Sequence, residues 1–361
     1  MKRVFTVIGA GNGGQAMAAH LTMSGHEVHL YDIDRERMKE LSEKRTITLS
    51  GQLEGEQRIA LITEHMEEAL RDSAAVFVVT TATAHNEVAE EMGKYLRSRQ
   101  AVILCPGQTG GGIIVRNILR RSGKSNPVIE LQDLMYACRL KANGAVNVSA
   151  VKKEVEAAAF CEEEYTYVYQ MIKDAYPQVR RVPNMLYTGF NNMRVILHPA
   201  PMVLNAGRVE SGEAFLFYHQ GITPAVAECM EQMDQERIAA GRAYGIPVTP
   251  LGQWLKEIYG VEGGSLYEQI HNNPAYASVK APASLMHRFI TEDVPSGLVP
   301  IVELGERAGT DMPVMRGIAE LAGKILKQDF YKTGRNLKML GLESKDVPEI
   351  KRMFMNEEGS V

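Results

Sequence analysis

Cysteine is scarce in this 361-residue chain: Cys105, Cys138, Cys161 and Cys229 are scattered, with no C-x-x-C spacing. That pattern argues against a zinc site and against a disulfide framework, so no metal is expected and a reducing, cytoplasmic setting fits. Basic excess is also missing, since 40 Lys and Arg face 44 Asp and Glu for a formal net charge of −4, with a sequence pI near 6.2. Such a chain has no electrostatic footprint for nucleic acid or an anionic membrane, and a small molecule is the expected partner. Long hydrophobic runs are lacking. The most apolar stretch, 74–84, is too short to span a bilayer and reads as a buried parallel strand. A charged leader, apolar core and cleavage site are absent from the N-terminus, so no signal peptide is expected.

What is present is concentrated near the first residues. The apolar run Val4-Phe5-Thr6-Val7-Ile8 enters Gly9-Ala10-Gly11-Asn12-Gly13-Gly14, and Asp32 closes the next apolar run, 28–31. This is the order of a dinucleotide-binding strand, turn and helix. Gly9 supplies a tight turn, Gly11 leaves the backbone open to a pyrophosphate, and Gly14 lets the helix pack closely on the sheet. Asn12 and Gly13 lie at the positive end of that helix. Asp32 is placed to accept from the ribose hydroxyls and repels a 2′-phosphate, so NAD(H) is expected. NADP(H) is the alternative, because Arg35 and Arg37 are close enough in sequence to neutralise such a phosphate.

Strands and helices alternate through the first half. Strands are expected at 46–49, 75–80, 101–105, 128–131, 138–140, 145–150 and 179–182, with helices at 35–43, 66–71, 86–97, 112–121 and 163–175. Continuous apolar runs between amphipathic helices imply a doubly wound, Rossmann-type parallel sheet covered on both faces. From Pro183-Asn184 onward β-branched alternation disappears. Helical spacing then covers 186–197, 199–211, 223–244, 250–259, 266–272, 299–308, 313–326 and 336–340. The expected organisation is therefore an α/β dinucleotide-binding domain over 1–182 followed by an all-helical substrate domain over 183–361. Substrate is expected near the carboxyl ends of the strands, in the cleft between the domains.

Two loops after core strands should line the cofactor crevice: Thr80-Thr81-Ala82-Thr83-Ala84-His85, with Thr81 facing cofactor, and Cys105-Pro106-Gly107-Gln108-Thr109-Gly110-Gly111-Gly112. In the second, Gln108 carries an amide among glycines that can reach a ligand without obstruction. His198 precedes Pro199, which disfavours helical geometry at the histidine and should stop or kink the preceding helix there. A histidine at a helix break can project into a cleft and exchange protons near neutrality. Further on, Arg288 and Asp293 precede a turn. A carboxylate can fix the tautomer of an imidazole, and an arginine fork can grip a substrate carboxylate. Spacing alone does not bring residues 198 and 293 together, and an ordinary surface loop with a salt bridge is the competing reading.

These residues, together with Asn205-Ala206-Gly207-Arg208-Val209-Glu210-Ser211-Gly212, Gly221-Ile222-Thr223-Pro224, Asn273-Pro274-Ala275-Tyr276 and Glu292-Asp293-Val294, resemble the opine dehydrogenases, relatives of octopine and nopaline dehydrogenase. The bacterial N-(1-carboxyethyl)norvaline type is the nearest in pattern, and the similarity runs in order over nearly the whole chain. The resemblance implies a nicotinamide-dependent reductive condensation of an amino acid with a 2-oxo acid such as pyruvate, and the reverse oxidation. It implies His198 as general acid/base, Asp293 as its orienting partner and Arg288 as holder of the 2-oxo acid carboxylate. Gln108, Asn205, Tyr218 and Thr223 would face the substrates. Arg194, one helical turn before His198, departs from the pattern. It is either a second carboxylate holder or a solvated charge.

The alternative is a dehydrogenase of a simple 2-hydroxy acid or phosphorylated alcohol, like the glycerol-3-phosphate or ketopantoate enzymes. Several of those use a lysine in the first long helix of the second domain, and 186–197 contains none. Apolar helices in the second domain make a homodimer reasonable.

Overall fold

A computed structural model describes residues 2–354. The chain divides into two compact units. One comprises residues up to Gly107 together with Gly111–Thr188, and the other Gln108–Gly110 together with Gly189 onward.

The first unit contains, in chain order, β1 (Val4–Ile8), α1 (Asn12–Met23), β2 (Glu27–Tyr31), α2 (Arg35–Lys44), β3 (Thr46–Gly51), β4 (Gly55–Arg58), β5 (Leu61–Thr63), α3 (Met66–Leu70), β6 (Ala75–Val78), α4 (His85–Tyr95), β7 (Ala101–Leu104), α5 (Gly111–Arg121), β8 (Val128–Leu131), β9 (Tyr136–Ala142), β10 (Ala145–Val151), β11 (Val155–Ala159), α6 (Glu162–Ile172) and β12 (Val179–Arg181). Eight strands form the main sheet in the order β12-β11-β8-β7-β6-β1-β2-β5. Every residue of β6, β7 and β8 is buried. That is the burial expected of parallel strands covered on both faces, and it is why β6 and β7 read as unbroken apolar runs; β8 is interrupted by Glu130, a buried carboxylate that accepts from the Gly112 N–H at 2.7 Å.

Two expectations are corrected. The strand at 46–49 does not join the parallel sheet: β3 belongs to a separate four-stranded sheet, β4-β3-β10-β9. There β3 pairs with β4 in antiparallel fashion and with β10 in parallel. Buried Ile47 and Leu49 flank exposed Thr48, the period-2 alternation of a sheet with one wet face. The main sheet is also not wholly parallel, because β11 runs antiparallel to β8. That strand, Val-Glu-Ala-Ala-Ala, is poor in β-branched residues and gave no strand signal, yet three of its residues are fully or nearly fully buried (Val155, Ala157 and Ala158).

The second unit is helical. Its elements are α7 (Met185–Phe190), which runs through the point of division, then α8 (Arg194–Leu197), α9 (Pro199–Leu204), α10 (Ala206–Glu210), α11 (Pro224–Ala243), α12 (Leu251–Tyr259), α13 (Leu266–His271), α14 (Arg288–Thr291), a π-helical turn (Val294–Leu298), α15 (Val299–Arg307), α16 (Pro313–Leu326), α17 (Phe330–Thr333) and α18 (Val347–Phe354). The helix expected over 186–197 is broken at Asn191-Asn192-Met193. The Asn192 side chain accepts from the Arg194 N–H at 3.3 Å, a local bond that competes with helix propagation. Residues 336–340 form turns rather than a helix.

The longest helix, α11, is fixed by a buried ion pair. Arg237 is fully buried and donates from Nε to Asp234 Oδ1 at 2.9 Å, from Nη1 to the Phe190 carbonyl and from Nη2 to the Thr249 carbonyl at 2.7 Å. The other Asp234 oxygen accepts from the Leu251 N–H at 2.7 Å. With so many partners satisfied, the pair ties α7, α11 and the start of α12 together, and removing either member would leave a buried charge exposed to no solvent.

Candidate active site

The glycine turn has a different requirement at each position. Gly9 adopts φ +101°, and a Cβ there would lie 2.9 Å from the Val79 carbonyl oxygen. At Gly14 a Cβ would fall 1.6 Å from the Gly9 carbonyl oxygen, so only glycine lets α1 start this close to the turn. A Cβ on Gly11 would meet no protein atom within 4 Å. The turn is therefore open on that side, and α1 carries no acidic residue in its first turn to cancel its positive end. These features fit a dinucleotide pyrophosphate.

Asp32 braces the same turn. One carboxylate oxygen accepts from the Ala10 N–H at 2.6 Å and the other from the Asp34 N–H at 3.0 Å. Of the two nearby arginines, Arg37 reaches Asp32 at 3.5 Å and Asp34 at 3.1 Å. Arg35 pairs with Glu64 at 3.4 Å and is highly exposed. The Asn12 side-chain oxygen accepts from the Leu140 N–H at 2.9 Å. Gln15 and Asn143, which sequence reasoning missed, stiffen the turn: Gln15 Nε2 donates to the Ala10 carbonyl at 2.7 Å and to Asn143 Oδ1 at 2.9 Å. Thr81 is exposed and its hydroxyl lies 3.1 Å from that of Thr83.

In the second unit, residues 95 positions apart in sequence meet: His198 Nδ1 lies 2.7 Å from Asp293 Oδ2. The break between α8 and α9 exposes no backbone fault, since His198 ends one helix and Pro199 takes the first position of the next. The backbone at His198 nevertheless keeps helical dihedrals, φ −113° and ψ −56°, so the proline offsets the helix without turning it into extended chain. Gln108 Nε2 donates to the other Asp293 oxygen at 3.1 Å. The Phe289 ring stacks on the imidazole at 3.9 Å between centroids, a contact absent from the sequence reading although Phe289 follows Arg288 directly.

His198 and Asp293 are both buried. Burial pushes the imidazole below its ordinary pKa, Asp293 pulls it back up, and Arg194 and Arg288 add to the lowering. Among the described residues Nε2 of His198 has no hydrogen-bond partner. A buried imidazole with one nitrogen anchored on a carboxylate and the other free is built to take and return a proton.

Residues 181–326 match the family described as NAD/NADP octopine/nopaline dehydrogenase, alpha-helical domain. Residues 4–120 match that described as NAD-dependent glycerol-3-phosphate dehydrogenase N-terminus. The chain is 36% identical to an opine dehydrogenase of Arthrobacter sp. (strain 1C) over 94% of its own length and 95% of that protein's. The chain belongs to the opine dehydrogenase family. It is 25% identical to the octopine dehydrogenase of Pecten maximus over 92% of its length and 93% of the relative's. The octopine dehydrogenase structure with NADH and L-arginine shares its fold, with a TM-score of 0.83 at 21% identity and full coverage of both chains. This opine dehydrogenase is an NAD-dependent oxidoreductase acting on the CH–NH group, and its reaction is the reductive condensation of an amino acid with a 2-oxo acid.

Other residues singled out in the sequence sit as follows in this enzyme. Arg288 opens α14 and is exposed. Tyr218 is buried and stacks on Tyr276 at 4.0 Å, and burial pushes its hydroxyl pKa well up. Asn205 spends its amide on structure: Nδ2 donates to the Pro201 and Gly221 carbonyls at 2.9 and 2.8 Å, and Oδ1 accepts from Arg208 at 3.2 Å. Thr223 is exposed and caps α11 through the Val226 N–H at 3.4 Å. The Gln108 amide is taken at both ends, since its Oε1 accepts from Asn192 Nδ2 at 2.7 Å. Asn192 also escaped the sequence reading, where it lay inside an assumed continuous helix. Among the described residues no His, Cys, Asp and Glu group is arranged to hold a metal ion, and no helix is long and apolar enough to cross a membrane.

Proposed function

We propose that this opine dehydrogenase joins the amine of an amino acid to a pyruvate-like 2-oxo acid with His198 as general acid/base, Asp293 as its orienting carboxylate and Arg288 as the group that holds the 2-oxo acid carboxylate. The observation that carries this reading is the 2.7 Å contact from Asp293 to Nδ1 of a buried His198 whose Nε2 remains free. In the condensing direction protonated Nε2 gives its proton to the departing carbinolamine oxygen, which leaves as water. In the oxidising direction the neutral ring takes a proton from water attacking the imine carbon. The Asp293 carboxylate keeps the second proton on Nδ1 and offsets the imidazolium charge. Arg288, exposed at the start of α14, can meet a carboxylate with two parallel N–H donors and orient the electrophilic carbon. Bound NADH supplies the hydride.

Gly9, Gly11, Asn12, Gly13 and Gly14 would cradle the pyrophosphate, and Asp32 the adenosine ribose, with Arg35 and Thr81 at the edge of the same site. The Asp32 carboxylate favours NAD over NADP, since a 2′-phosphate would approach a fixed negative charge. Asn205, Tyr218 and Thr223 would line the substrate side. Exposed Leu204, Ile258 and Leu321 on helices of the second unit support a homodimer, and four free cysteines support a reducing cytoplasm.

The test is NADH oxidation by pyruvate with and without a panel of amino acids. Turnover with pyruvate alone, unaffected by amines, refutes the reading and favours a simple 2-hydroxy acid dehydrogenase. His198→Ala should abolish reduction while leaving the NADH fluorescence titration nearly unchanged.

A further inference from the structure

A buried run of side-chain amides ends on the His198–Asp293 pair, and its donors and acceptors can be ordered in only one sense. It begins at a group that cannot accept: the Arg194 backbone N–H donates to Asn192 Oδ1 at 3.3 Å. The Asn192 amide is held the same way from its other end. Thr109 Oγ1 gives its hydrogen to the Gly189 carbonyl at 3.3 Å and so receives Asn192 Nδ2 at 3.4 Å. Nδ2 then donates to Gln108 Oε1 at 2.7 Å. That turns Gln108 Nε2 toward Asp293 Oδ1 at 3.1 Å, an oxygen that accepts here and has no acceptor on Gln108 to donate to. The remaining oxygen, Oδ2, is left to accept from His198 Nδ1 at 2.7 Å.

We propose that Gln108 and Asn192 are positioning residues that set the proton inventory of the acid/base pair: they hold Asp293 as a carboxylate and His198 with a proton on Nδ1, so that Nε2 is the atom that titrates. The proposal rests on the reading of His198 as the general acid/base. It does not use up the Gln108 amide, since one Nε2 hydrogen and one Oε1 lone pair stay uncommitted in this arrangement.

The local backbone supports it. Gln108 adopts φ +57°, a left-handed conformation that suits glycine better than a side chain. Such strain persists only where surroundings over-determine it. The adjoining residue is clamped accordingly: the Thr109 N–H donates to the Ser296 carbonyl at 3.1 Å, and Arg335 Nη1 donates to the Thr109 carbonyl at 3.1 Å. All four partners in the run, Asn192, Gln108, Asp293 and His198, are buried, where a hydrogen bond's direction is not scrambled by water. The charged groups around it are Arg194 and Arg288, which both disfavour the imidazolium, Arg335, and Glu292 beside Asp293.

The test compares Gln108→Glu and Gln108→Met with the parent in steady-state reduction of pyruvate plus an accepted amino acid, from about pH 5.5 to about pH 9. A carboxyl at 108 can replace the amide donor only while it keeps a proton that it shares with Asp293. Gln108→Glu should therefore stay within about threefold of the parent kcat at the acid end and fall at least about tenfold below it at the alkaline end. Gln108→Met packs but cannot donate, and should be down at least about tenfold at every pH, with KM for the 2-oxo acid within about threefold of the parent in both variants. A Gln108→Glu to parent ratio that is flat with pH overturns the proposal. So does an unchanged kcat in Gln108→Met, or a loss confined to KM, which would make Gln108 a substrate contact.

Asn192→Asp carries the test if the Gln108 variants do not fold. Its carboxylate must accept from Gln108 and so turns that amide over, and the same kcat loss at unchanged KM is expected; full kcat overturns the proposal. His198→Ala separates the two readings. Turnover retained there defeats the acid/base assignment, whereas its loss combined with a flat Gln108→Glu ratio defeats the positioning proposal alone.

Discussion

Asp293→Asn removes a charge from the acid/base pair and almost nothing else. Its Oδ2 is 2.7 Å from His198 Nδ1 and the residue is 2% exposed, so water cannot stand in for the lost carboxylate. The charge centres of the ring and the carboxylate lie about 4 Å apart, where opposite charges attract by about 4 kcal/mol at an effective dielectric near 20. At about 1.4 kcal/mol per decade, kcat/KM should fall by about 10³. A second effect acts in the same direction. The asparagine carbonyl must take the Gln108 Nε2 donor, which turns its NH2 toward Nδ1 and forces the neutral ring to carry its hydrogen on Nε2. That tautomer cannot act as a base there. The assay is kcat/KM for oxidation of the opine as a function of pH, beside an NADH fluorescence titration that should move by less than about threefold. If kcat/KM stays within about tenfold of the parent with the same acid limb, the orienting role of Asp293 is refuted.

Burial holds His198 below the ordinary histidine value of 6.5, so opine oxidation, which needs the neutral ring, should keep its rate above that pH and lose it as pH falls through the lower folded value. By linkage the same group contributes stability that is complete above pH 6.5 and lost as pH drops through the folded pKa, readable as a declining urea midpoint. Gly14→Ala places a methyl 1.6 Å from the Gly9 carbonyl oxygen. Relief requires α1 to move, and a loss of about 3 kcal/mol or more together with NADH affinity is expected by chemical denaturation and titration; a stable, tightly binding variant contradicts the close approach. Asp32→Ala leaves the Ala10 N–H without its 2.6 Å acceptor and removes the charge that repels a 2′-phosphate. NADH binding should weaken by about 1–3 kcal/mol while the NADPH to NADH preference rises, and an unchanged preference would show that Asp32 does not select the cofactor.

Local periodicity made much of this fold legible. β6 and β7 announced themselves as apolar runs because both of their faces are covered, and α11 and α16 because their spacing is long and regular. β11 escaped because its alanines owe their burial to neighbours rather than to intrinsic preference. The strand at 46–49 was legible as a strand, but its partners were not, since pairing with β10 is set by the tertiary course of the chain. The break at Asn191-Asn192-Met193 was hidden for a similar reason: helical spacing continues through it, and only the turn of Asn192 onto the Arg194 N–H stops the helix.

At the site, the dinucleotide turn was legible in the residues alone, because the positive φ of Gly9 and the approach of Gly14 to the Gly9 carbonyl act within a few residues of chain. The sequence also marked His198, Arg288 and Asp293 as the groups able to do acid/base and carboxylate chemistry. Tertiary structure alone decided which of them touch. The 2.7 Å contact between His198 and Asp293 spans 95 positions, and Gln108 joins them from 185 positions away. A hydrogen bond depends on distance and direction in space, and neither is written in the spacing of residues along the chain.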